Sequence, residues 1–133
     1  MEKIEAKQIS ETEFMVGNNR TSIIEGNIIY VIVNGEQTTE LAILQKEVNL
    51  KLANLINGQI SYLIDLNKAG KNSPDARNIW IEISNLEITK KVANFGIHPV
   101  ARVLAAFVVR VSGKQNVRFF KTEEEALTWL LLK

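Results

Sequence analysis

Few stretches of this chain invite a functional reading as does "LIDLNKAGKNSPDAR", residues 63–77. It carries two carboxylates, Asp65 and Asp75, an amide at Asn67, a Gly70-Lys71 pair, a serine at 73 and a cation at Arg77. Strand-like residues, then Gly-Lys, then a helix start is the setting of a phosphate-binding loop. That motif needs glycine five residues before Gly70, to wrap backbone around phosphates, and a hydroxyl after Lys71, to hold Mg²⁺. The chain has Asp65 and Asn72 at those places, so the loop reading fails. Ser73 has two readings. As an N-cap, followed by Pro74 and Asp75, it is an ordinary helix start worth about 1 kcal/mol. As a phosphorylation site it would place phosphate at the positive end of a helix dipole.

Other candidates are sparse. His98 is the one histidine and precedes Pro99 at a predicted helix start. With no cysteine and two aspartates in the chain, zinc would need further carboxylate ligands, and no ligand spacing appears. A Ser-His-Asp set is arithmetically possible, but no GxSxG elbow is present. Glu123, Glu124 and Glu125 fan around the first turn of a predicted helix, where the dipole favours acids, so capping accounts for them. No catalytic residue, metal site or cofactor site is expected.

The totals narrow the function classes. The chain has 133 residues, 46% hydrophobic and 23% charged, which suits one globular domain over 1–133. A formal net charge of +1 gives no electrostatic case for nucleic acid or an anionic membrane. Absence of cysteine fits a reducing compartment. The opening "MEKIEAKQIS" lacks the apolar core of a signal peptide, and "VLAAFVVRV" falls far short of the roughly 20 residues of a spanning helix. A cytoplasmic protein is expected.

The elements that position these residues follow from periodicity. In residues 1–19 only "EFMV" suggests a short strand. "RTSIIEGNIIYVIVNG" reads as an antiparallel hairpin turning at Gly26-Asn27. Leu41, Leu44, Val48, Leu52, Leu55 and Ile56 form a helical stripe, capped by Thr38 or Thr39 and stopped at Gly58. "QISYLIDL" is a buried strand, and "SPDARNIWIEISNL" a helix burying Ala76, Ile79, Trp80, Ile83 and Leu86. "TKKVANFGI" is a strand, "HPVARVLAAFVVRVSG" a helix, "NVRFF" a strand and "TEEEALTWLLLK" a helix with a Thr122/Glu125 capping box. The order is β-β-α-β-α-β-α-β-α. It predicts an α/β fold with a mixed, mostly parallel sheet of about five strands and about four helices. Between Val100 and Val111 only Arg102 and Arg110 are polar, so the 99–111 helix is expected to be buried on several sides or to face a partner, a lipid or a second copy.

The stretches "YLIDLNKAG", "KKVANFGIHPVARVLAAFVVRVSG" and "VRFFKTEEEALTWL", in this order of elements, resemble the STAS domains, the fold of bacterial anti-sigma-factor antagonists. The closer likeness is to the SpoIIAA-like group of stand-alone STAS/SEC14-type proteins. The resemblance covers roughly residue 20 to the end. In regulatory members the strand ending in Asp-Leu leads to Asp-Ser-Ser-Gly, where a partner kinase phosphorylates a serine. Aligned without gaps from Asp65-Leu66, this chain has Ser73-Pro74-Asp75-Ala76, so the phosphoacceptor positions hold Pro74 and Asp75. The resemblance implies a non-enzymatic regulatory or protein-interaction module without an intact phosphoserine motif. The alternative is a carrier or sensor of a small apolar ligand or lipid. Asp65, Asn67, Ser73, Asp75, Arg77, His98 and Arg102 are the candidate partner or ligand contacts, with a homodimer through the 99–111 helix as a further possibility.

Overall fold

The computed structural model describes residues 4–96 and 116–132. The described strands are β1 (Ala6–Ser10), β2 (Glu13–Val16), β3 (Asn19–Ile24), β4 (Ile28–Gln37), β5 (Ile60–Asn72), β6 (Thr89–Phe95) and β7 (Val117–Phe120). The described helices are α1 (Thr39–Ala53), α2 (Pro74–Asn85) and α3 (Glu123–Leu131). The strands form one sheet in sequence order, β1 to β7.

Pairings β1/β2, β2/β3 and β3/β4 are antiparallel, while β4/β5, β5/β6 and β6/β7 are parallel. The sheet is therefore mixed in equal parts, correcting the mostly parallel expectation. Seven strands are described, against about five expected. The extra two lie at the amino end: β2 is the "EFMV" segment, whose burial alternates, while every residue of β1 is exposed and no alternation marks it as a strand. Three helices are described. The fourth expected one, after Pro99, falls outside the described residues, as do His98, Arg102 and the dimer proposed through it.

Alternation along the strands separates two cores. On one face Tyr62, Ile64 and Leu66 of β5 join Val31, Val33, Val92 and Val117 beneath α1 and α2. On the other, Leu63, Ala93 and Phe95 meet Ala126 and Leu130 of α3. Both crossover connections between parallel strands, through α1 and α2, lie on the first face. The two helices meet there, with Lys46 Nζ 3.3 Å from Glu82 Oε2.

Local chemistry sets the helix ends. The Thr38 hydroxyl accepts from the Leu41 amide, and the Thr122 hydroxyl accepts from the Glu125 amide. In the second cap the return contact runs from the Thr122 hydroxyl to Glu125 Oε1 at 3.1 Å, rather than from the backbone. Helix α1 closes at Ala53, before Gly58, so Leu55 falls off the apolar stripe and is 60% exposed. The β3/β4 turn is also longer than expected. Ile24 pairs with Ile28, leaving the three residues Glu25–Asn27 to turn, with Glu25 and Gly26 at φ 53° and 81°.

Candidate functional site

The 63–77 stretch is mostly strand. Strand β5 continues to Asn72 because residues 68–72 pair with Asn34, Gly35 and Gln37 of β4. Gly70 is needed for close approach: a Cβ there would come within 3.0 Å of the Gly35 carbonyl carbon. Extended backbone, with β4 occupying its edge, cannot curl around a phosphate. The expected Gly-Lys loop is thus corrected to a strand, and its glycine has a packing role.

Ser73 follows directly. Its amide donates to the Gln37 carbonyl at 3.1 Å, and its hydroxyl accepts from the Ala76 amide at 3.0 Å. The same oxygen lies 2.8 Å from Thr39 Oγ1, so the starts of α1 and α2 are pinned together through two hydroxyls. Pro74 occupies the first turn, and Asp75 is exposed beside it.

Asp65 and Asn67 point elsewhere. Alternation puts them on the α3 side of β5, where Asp65 Oδ1 accepts from the Asn67 amide at 2.9 Å and from its Nδ2 at 3.1 Å. Nearby, burial first and then a hydrogen bond to Glu123 push the Tyr30 hydroxyl pKa well above its ordinary value, with Asp65 adding to the effect. The structure therefore splits the predicted constellation. Ser73, Asp75 and Arg77 lie at the start of α2, while Asp65 and Asn67 lie across the sheet.

Arg77 leads to a cavity near the carboxyl ends of the parallel strands, where the carrier alternative expects a pocket. It measures about 30 Å³ and lies between α2 and the carboxyl ends of β4, β5 and β6. Its apolar wall is Val33, Ile64, Leu66, Trp80 and Val92, and its polar wall includes Gln37, Asn72, Arg77, Ser84 and Asn94. Open α/β sheets bind ligands at this end of their strands. Asn94 is 7% exposed, and its Nδ2 has no hydrogen-bond partner among the described residues. The Ser84 hydroxyl is committed to the Trp80 carbonyl at 2.9 Å.

Gln37 joins this cavity to a buried amide network beneath α1. Asn19 Nδ2 donates to Gln37 Oε1 at 2.9 Å and to Gln45 Oε1 at 3.2 Å, while Asn19 Oδ1 accepts from the Asn34 amide at 2.9 Å. Gln45 Nε2 donates to Thr21 Oγ1 and to Asn49 Oδ1, both at 2.9 Å. One signal for this network was readable: Gln45 and Asn49 stand one turn apart among the apolar residues of α1. Asn94 lies two residues after Val92 on the same face of β6. Among the described residues no histidine or carboxylate cluster could hold a metal ion. No described helix is long and apolar enough to cross a membrane.

Comparison with solved structures finds this fold. An uncharacterized protein of the DUF3478 family from Shewanella loihica PV-4, described as having a SpoIIAA-like fold, matches at 16% identity and a TM-score of 0.63, over 98% of each chain. The anti-sigma factor antagonist SpoIIAA in its unphosphorylated form matches at 11% identity and a TM-score of 0.59, over 84% of this chain and 96% of its own. The resemblance to SpoIIAA-like proteins is thereby established at the level of the fold. No match was found among curated proteins. A family model, a domain of unknown function designated DUF7793, matches residues 22–132, nearly the whole of the α/β unit, and the chain belongs to that family.

Proposed function

We propose that this chain is a non-enzymatic regulatory module of STAS type that acts by binding a protein partner, and that Ser73 is not its phosphorylation switch. The carrying observation is the state of the Ser73 hydroxyl, held by the Ala76 amide and by Thr39 Oγ1. A phosphate on that oxygen would displace both contacts, and the next two positions, Pro74 and Asp75, offer no substitute acceptor. The SpoIIAA-like fold, and the description of SpoIIAA as an anti-sigma factor antagonist, support the regulatory class. A cytoplasmic setting belongs to the same reading. In this reading the partner-facing surface is the start of α2, where Asp75 is exposed beside Pro74.

Affinity capture tests this. Partners identified by mass spectrometry with the wild-type chain are to be compared with those of Ser73→Asp, which keeps a good N-cap, and Asp75→Lys. Partner retention by Ser73→Asp and its loss by Asp75→Lys is the expected result. Equal capture by all three forms removes the start of α2 from the interface.

The cavity beneath α2 favours a second reading, a sensor or carrier of a small apolar ligand. Native mass spectrometry of the purified chain checks it, since a retained small-molecule mass is expected only under that reading.

A further inference from the structure

We infer that Asn57-Gly58, between α1 and β5, is a site of spontaneous covalent modification, at which the Asn57 amide is converted to an acid, while Asn34-Gly35 in β4 is protected. The reaction needs a side-chain amide followed by an unhindered backbone N–H. The Gly58 nitrogen attacks Asn57 Cγ, the new N–Cγ bond closes a cyclic imide, and the Cγ–Nδ2 bond breaks. Nδ2 leaves as ammonia, taking up the proton that the Gly58 nitrogen gives away. Water then adds to one or the other imide carbonyl and opens the ring, leaving an aspartyl or an isoaspartyl residue at 57.

The chain has two Asn-Gly pairs, and the fold puts them in opposite settings. Asn57 and Gly58 are both exposed, and among the described residues no hydrogen bond holds the Asn57 side chain or the Gly58 N–H. Beyond the adjoining residues, nothing lies within 4 Å of where a Gly58 Cβ would stand, and a φ of 89° there favours glycine, which obstructs the attack least. Helix α1 has closed at Ala53 and β5 begins at Ile60, so no ladder restrains this peptide. Asn34 is exposed as well, but its backbone is clamped. Asn34 and Gly35 pair with Lys68 and Ala69 of β5. The Asn34 amide donates to Asn19 Oδ1 at 2.9 Å, and the Gly35 carbonyl accepts from Gln37 Nε2 at 3.0 Å. The ring can close there only when that pairing opens locally. At 57 an isoaspartyl residue would add one backbone carbon to the link between Ile56 and Ile60, both buried in the same core.

The test is peptide mapping by mass spectrometry of the full chain, aged in mildly alkaline buffer, with a parallel sample unfolded in urea. In urea the two pairs should convert at similar rates, since each follows a β-branched residue, Val33 or Ile56. In the folded chain Asn57 should convert faster than Asn34 by about tenfold or more, because only Asn34 must wait for a local opening. Both aspartyl and isoaspartyl products are expected at 57, the mark of the imide route. Asn57→Gln, whose longer side chain would have to close a larger ring, should remove the acidic band that ageing produces in isoelectric focusing. Equal folded-state rates at the two positions overturn the inference. So does an Asn57 that stays intact in the folded chain while it converts in urea, or an aspartyl product with no isoaspartyl isomer.

Discussion

Helices α1 and α2 cover the same face of the sheet, but only the α1 half ties its buried amides into a network. Each half keeps one buried amide donor, Asn49 Nδ2 on α1 and Asn94 Nδ2 beneath α2, without a partner among the described residues. Under α1, the amides of Asn19, Gln37 and Gln45 bond one another and the Asn34 backbone, and Gln45 reaches Thr21 and Asn49. Under α2, Asn94 keeps a donor without an acceptor beside a cavity. Satisfied buried amides fix register, because sliding a strand by one residue would break several bonds at once. An unsatisfied one lowers stability and fixes no register. Ser73 stands at the join, capping α2 while touching Thr39 of α1.

The comparison can be broken most forcefully at Asn19. Asn19→Leu leaves Gln45 Oε1 and the Asn34 amide without their bonds and should cost about 3 kcal/mol or more, read by urea denaturation. A loss below about 1 kcal/mol would mean that the network does not hold the α1 half together. Ser73→Ala comes next. It removes one cap and one hydroxyl contact, for an expected loss of about 1–2 kcal/mol.

Tyr62→Phe should move stability the other way. The Tyr62 hydroxyl is fully buried with no partner among the described residues, so its removal is expected to gain up to about 1 kcal/mol at pH 7. Burial also pushes the Tyr62 pKa up. The folded state therefore holds its proton where the unfolded chain, with a pKa of about 10, releases it. Its contribution is complete below pH ~10 and falls above that by about 1.4 kcal/mol per pH unit. Denaturation series at pH 8, 10 and 11 should show this alkaline slope in the wild type and a shallower one in Tyr62→Phe. The smallest effect is expected at Asn94. Asn94→Leu should lie within about 1 kcal/mol of the wild type, on the stabilising side, since it replaces an unpaired donor with apolar surface. A loss comparable to that of Asn19→Leu would erase the contrast between the two halves.

Much of the fold could be read from local pattern. The α1 stripe, the Ser73-Pro74 start of α2, the Thr122 cap and the strands around 60–66, 89–95 and 117–120 all follow from short-range chemistry. Strand β1 could not be read, because its residues are all exposed and its identity comes from pairing with β2. The extension of β5 through Lys68–Asn72 was hidden for a related reason. Gly-Lys-Asn has little strand propensity, and only the partner β4 holds it extended. The candidate site was half legible. Ser73, Asp75 and Arg77 do lie together at the start of α2, but Asp65 and Asn67 were grouped with them by sequence proximity, and strand alternation sends them to the other face. Asn94 entered no expectation, because an unpaired buried donor is a fact of three-dimensional packing.

The most direct test of the regulatory reading is a pair of affinities for the captured partner. Ser73→Asp, which keeps the cap and adds a charge, should bind within about twofold of the wild type, and Asp75→Lys should bind at least tenfold more weakly. A folded Ser73→Asp that alters affinity tenfold, with Asp75→Lys unchanged, would contradict the account and restore Ser73 as the switch.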